Sequence, residues 1–147
     1  MRRMRRILHA TDFSGASTPA MAKALALAKA ERARLLLLHV LEPPSPFVGD
    51  DLPGSYLELQ AAARRGAERR LAAAAGRAKK TGARVEAKLV AGAPSEEIVR
   101  AARRWRPDVI VIGTHGRTGL GRVFMGSVAE RVLQQAPCPI LTVRRRR

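Results

Sequence analysis

A single cysteine, Cys138, stands in the 147 residues. No disulfide can close within one chain, so nothing points to an oxidising compartment. Aromatic residues make up 3% of the sequence. A core must therefore be assembled from Ala, Val, Ile and Leu, and the stacking platforms that read unpaired bases are not indicated. No apolar run approaches the roughly 20 residues that cross a bilayer. The basic start, MRRMRRILHATDFS, leads into no long apolar region, so it does not read as a secretory signal. These absences give the expectation of a soluble, cytoplasmic protein without a membrane span.

Acidic residues are also few. Asp and Glu number 12 against 28 Lys and Arg, a formal charge of +16. Charge of this size bears on encounters with polyanions and not on fold. It reads first as a solvated basic surface, and second as attraction to nucleic acid or another polyanion. The densest runs lie at the two ends, RRMRR and RRRR.

What is present is a regular alternation. RILHAT (6–11), ARLLLLHVLE (33–42), ARVEAKLVAG (83–92), PDVIVIGTHG (107–116) and CPILTVR (138–144) read as strands. Between them, TPAMAKALALAKAERA, a long Ala-rich stretch from Tyr56 to Thr81, APSEEIVRAARRW and SVAERVLQQA read as helices. Ser14 and Ser17 are cap candidates for the first helix, and Gly82 is a stop for the second. The near-continuous apolar run LLLLHV suits a strand buried on both faces. Strands and helices in strict alternation predict an α/β fold: a five-stranded parallel open sheet, Rossmann-like, with helices on both faces. With the order 3-2-1-4-5, the ends of strands one and four adjoin. The length suits one domain over 1–147, and the Pro/Gly-rich stretch 43–55 is too short to divide it.

In such a sheet a ligand sits at the carboxyl ends of the strands, where the order reverses. HATDFS follows the first strand and GTHGRTGLGRVFMGS the fourth. The latter holds five glycines between Gly113 and Gly126 and leads into a helix near Ser127. Bare backbone lets successive amides converge on an anion, and a helix N-terminus adds free amides and partial positive charge. Arg117 and Arg122 add charge, and the Ser127 hydroxyl can donate. A polyphosphate suits the arrangement. Two commoner motifs are excluded: there is no Gly-Lys pair for a P-loop, and Gly119-Leu120-Gly121 lacks the third glycine of the dinucleotide fingerprint. Asp12 reads as a ligand contact or as a cap on the first helix. His115 lies within the glycine stretch, as a ligand contact or merely exposed. His9 and His39 read as core histidines, and Cys138, between two prolines, as inert. A His9–Asp12–Ser14 triad fails, because alternation sends neighbouring strand side chains to opposite faces.

Gly113 and Gly116, nine further residues, and then Gly126-Ser127 resemble the G-x2-G-x9-G-[ST] pattern of the universal stress protein family, in its ATP-binding branch. ILHATDFS, LLLLHV and the stretch from Pro107 to Arg144 are similar to that family as well. The resemblance implies a stress-response regulator or sensor that binds ATP, with Mg2+ held mainly by the phosphates. It places Thr11 and Asp12 at the adenine or ribose and the Val40 main chain at the base. It places Gly113, Gly116, Arg117, Gly126, Ser127 and Val128 around the phosphates. It implies a homodimer through the last strand, Cys138 to Arg144. No catalytic residue and no protein metal cage are expected, so any ATP hydrolysis should be slow. A slow nucleotide hydrolase, and a basic nucleic-acid-associated protein with a vestigial nucleotide site, are the alternatives.

Overall fold

Nine elements alternate along the chain in the computed structural model, which describes residues 2–44, 53–114 and 125–145. They are β1 (Arg6–Ala10), α1 (Thr18–Glu31), β2 (Arg34–Leu41), α2 (Pro53–Lys80) and β3 (Arg84–Ala91). There follow α3 (Pro94–Trp105), β4 (Val109–Gly113), α4 (Ser127–Gln135) and β5 (Ile140–Val143). The strands form one parallel sheet in the order β3-β2-β1-β4-β5, as the alternation predicts.

The apolar run of β2 explains the layering. Leu35 and Leu37 point to one face and Leu36 and Leu38 to the other, because strand side chains alternate. On the first face Ala20, Ala24 and Ala28 of α1 and Leu71, Ala75 and Ala78 of α2 pack on Ile7, Leu35, Leu37 and Val111. On the second face Ile98 and Ala102 of α3 and Ala129 and Val132 of α4 pack on Leu8, Leu36, Leu38 and Ile110. Two helices lie on each face, the arrangement that right-handed crossovers impose. Alanines on the buried stripe of α1 let that helix lie close to the sheet.

Three boundaries differ from expectation for identifiable reasons. Helix α2 begins at Pro53, inside the stretch expected to be loop, since proline is tolerated in a first helical turn. Strand β5 is shorter than Cys138–Arg144, because Pro137 and Pro139 lack the amide that a ladder needs. Helix α1 stops at Glu31, short of the expected Ala33, because Arg32 (φ 50°) takes the left-handed conformation; α3 ends at Trp105 as read, on a left-handed Arg106 (φ 53°). Gly82, with φ 89°, closes α2 as expected.

Candidate functional site

A cavity of about 380 Å³ opens at the carboxyl ends of β1, β2 and β4, on the face covered by α3 and α4. Its size falls within the range of small-molecule sites. The end of β1 supplies Thr11 and Asp12, and the end of β2 supplies His39, Val40, Leu41 and Glu42. The end of β4 supplies Ile112, Gly113 and Thr114, and α4 supplies Gly126 to Ala129. Pro94 and Ile98 of α3 complete the apolar wall.

The turn after β1 is held by its own polar groups. The Thr11 amide donates to the Leu38 carbonyl at 2.9 Å, and His39 Nδ1 donates to the Thr11 carbonyl at 2.7 Å. Asp12 Oδ1 accepts from the Ser14 amide at 2.9 Å, and Thr11 Oγ1 accepts from the Phe13 amide at 3.1 Å. Ser17 Oγ donates to the Ser14 carbonyl, so the Thr11 hydroxyl donates to Ser17 Oγ, 3.2 Å away. Phe13 takes φ 61°, a costly conformation for a bulky side chain, and its ring packs 4.3 Å from that of His39. Asp12 thus closes a turn four residues ahead of α1 instead of capping it, and the cap position belongs to Ser17. Ser17 makes no side-chain bond to that helix.

Beyond β4 the chain returns to its starting point. The Gly126 amide donates to the Thr114 carbonyl, so the two ends of the span between them are joined. Gly126 then caps α4, and its carbonyl accepts from Glu130 at 3.0 Å. Ser127, Val128 and Ala129 form the first turn of α4, where the amides lie ahead of the helix's own hydrogen-bond ladder. All three residues line the cavity. Gly113 is required by close approach as well: a Cβ there would stand 2.9 Å from the Ala16 carbonyl oxygen.

The cavity therefore brings together Thr11, Asp12, Val40, Gly113, Gly126, Ser127 and Val128. His115, Gly116 and Arg117 lie outside the described residues. His9 is fully buried, with Nδ1 donating to the Val111 carbonyl at 2.9 Å and no partner for Nε2 among the described residues. Burial pushes its pKa down to about 4, so the ring is neutral. Ser14 Oγ is buried without a partner among the described residues, so no hydrogen bond joins it to His9 and the triad is not assembled. His39 is buried as expected, yet it also lines the cavity.

Sequence reasoning missed Pro94, Ile98, Leu41, Glu42 and Thr114. The signal for the first two was available: α3 starts at the carboxyl end of β3, so its first turn must stand at the ligand end of the sheet.

The universal stress protein family model matches residues 4–144. The universal stress protein MJ0531 of Methanocaldococcus jannaschii is 35% identical over 141 residues, which cover 96% of this chain and 82% of the relative. Among solved structures, the universal stress protein UspA from Lactobacillus plantarum superposes with a TM-score of 0.86 at 26% identity, covering 98% of this chain and 100% of that one. A universal stress protein solved in complex with cAMP superposes at 0.69 with 25% identity, covering 97% of this chain and 98% of that one. A match over nearly the whole chain, with the same sheet order and helix layers, establishes the relationship: the chain belongs to the universal stress protein family.

Proposed function

We propose that the chain is a single nucleotide-binding domain that takes ATP in the cavity described above and acts as a cytoplasmic, homodimeric stress-response regulator. The observation that carries this reading is the pairing of two unlike ends in one cavity: Asp12 after β1, and the first-turn residues Ser127 to Ala129 at the start of α4. The carboxylate suits ribose hydroxyls or the adenine amino group, the Val40 main chain suits the base edge, and the α4 end suits phosphate. The related protein solved with cAMP supports a nucleotide as the ligand class. His115, Gly116 and Arg117 belong to the same proposed phosphate site by their place in the spaced glycine pattern.

Among the described residues no three His, Cys, Asp or Glu side chains converge. Mg2+ would therefore be held mainly by phosphate oxygens and water, which is its habit in nucleotide sites. The carboxylates that line the cavity, Asp12 and Glu42, follow β1 and β2, and none lining it comes from β4 or α4. That distribution favours binding over turnover, because efficient phosphoryl transfer needs a group that positions the attacking water.

For the dimer, the two sheet edges differ. Strand β3 carries Glu86 and Lys88, charges that discourage edge pairing, whereas β5 is the short apolar ILTV. Antiparallel pairing of two β5 strands is the proposed contact. Titration calorimetry with ATP, ADP and AMP tests the nucleotide reading: ATP should bind with measurable heat and raise the melting temperature. No heat and no thermal shift with any of the three would overturn it.

A further inference from the structure

The parallel sheet gives the molecule two poles. The cavity occupies the pole where strands end. All strand starts and all helix C-termini gather at the other, because every strand points the same way. The register at that second pole aligns three arginines as direct partners on adjacent strands: Arg84 on β3, Arg34 on β2 and Arg6 on β1. At about 4.8 Å per strand the row spans about 10 Å. Arg6, Arg34 and Arg84 share the α3 face with Leu8 and Leu36, two residues further along β1 and β2. Beside the row, the last turn of α3 adds Arg103 and Arg104, both exposed. A groove of about 300 Å³ runs between β3 and α3, lined by Lys88, Arg104, Trp105 and Glu86.

Carboxylates at this pole are already committed. Glu86 pairs with Arg34. Asp108 accepts the backbone amides of Arg5 and Arg6 at 2.7 and 2.9 Å, which holds its pKa below the usual carboxylate value. It therefore anchors the backbone of the N-terminal arm, whose Arg3 and Arg6 side chains donate to the Glu31 and Trp105 carbonyls at 2.7 and 2.6 Å. Among the described residues three ion pairs form, and none includes Arg84, Arg103 or Arg104. Basic residues at helix C-termini do complement the helix dipole. That effect accounts for the charges on α3, and Glu86 and Trp105 engage Arg34 and Arg6, but among the described residues no ion pair accounts for Arg84.

We propose that this strand-start pole is an interaction surface for the phosphate backbone of duplex DNA, bound without regard to sequence. DNA presents one charge per about 1.7 Å of axis, so a 10 Å row faces several phosphates at once. Base reading is not part of the proposal. Trp105 is half-buried beneath Arg6, 6.0 Å from its guanidinium carbon, and no other aromatic side chain lines the groove. A membrane surface fits less well, because the exposed large apolar side chains, Leu57, Leu59 and Leu133, lie on neither β1–β3 nor α3. The two basic runs of the sequence thus separate: the N-terminal one joins this surface, while Arg144 and Arg145 leave β5 at the cavity pole, where Arg145 lies over Gly15. The proposal stands apart from the nucleotide reading.

Fluorescence anisotropy of a labelled DNA duplex of about 20 base pairs, with salt raised from about 50 to 200 mM, is the test. The full chain should bind at low salt and weaken by about a hundredfold over that range. The triple variant Arg84→Gln, Arg103→Gln, Arg104→Gln should bind at least about tenfold more weakly and lower the salt slope by two to three, and Arg84→Gln alone should lower it by about one. A chain ending at Val143 should bind within about twofold of the full chain. The variants change exposed side chains, and their melting temperatures verify that they fold. Three results would overturn the proposal: no duplex binding at low salt, a triple variant that binds like the full chain, or tighter binding to phosphatidylserine vesicles than to duplex at equal phosphate.

Discussion

Gly113 and Ala16 meet at the mouth of the cavity so closely that no side chain fits between them. An added Cβ would stand 2.9 Å from the Ala16 carbonyl oxygen and 3.5 Å from Ser17 Cα. Both contacts are backbone, so neither can rotate away. The last residue of β4 and the turn after β1 thereby fix each other's position.

Gly113→Ala should therefore destabilise the fold by about 2 kcal/mol, an ordinary overpacking cost. Urea unfolding would show it as a lower midpoint with an unchanged slope. If the nucleotide reading holds, affinity for ATP should fall with it, since Asp12 and Thr11 sit on the displaced turn. A variant as stable as the parent would mean that the turn moves freely.

Acid should weaken the fold through His9. Its pKa is about 4 in the folded chain, against 6.5 for the ordinary group, because burial disfavours the charged ring. The unfolded chain thus binds the proton more readily between pH 4 and 6.5. Stability is full above pH 6.5 and is lost as pH falls toward 4, by about 3 kcal/mol across the window. Denaturation midpoints at several pH values would measure this slope, and His9→Leu should remove His9's share of it. An identical slope in the variant would assign the acid sensitivity elsewhere.

Asp12→Ala should cost ATP affinity by about tenfold, the loss of a charge-assisted hydrogen bond. It also removes the acceptor for the Ser14 amide, so the melting temperature of the unliganded chain must be compared. Asp12→Asn keeps an oxygen for that amide and separates the two effects. An Asn variant with parental stability and reduced affinity is the expected outcome. Unchanged affinity in both variants would remove Asp12 from the site.

The parallel sheet was legible because β2 is apolar at successive positions and one helix falls between each strand and the next. Gly82 and the Gly126-Ser127 junction were legible for a similar reason, since each needs a residue type that few alternatives supply. The left-handed Phe13, Arg32 and Arg106 were not: ordinary residues held there by hydrogen bonds leave no compositional mark. Gly113 was read as bare backbone for an anion, yet the same residue also answers to Ala16, a neighbour far away in the chain on another loop. Asp12 was assigned to the cavity, but its bond to the Ser14 amide depends on a turn geometry that spacing does not encode. The row formed by Arg6, Arg34 and Arg84 emerged only from register, because the three lie far apart in the chain.

The hydrogen bond from Gly126 to Thr114 ties the residue that caps α4 to the residue that follows β4. The first turn of α4 is thereby held in register with the end of the sheet, and both belong to the cavity wall. Helix and strand move there as one body, so whatever shifts the tip of β4 shifts the donors of α4 with it.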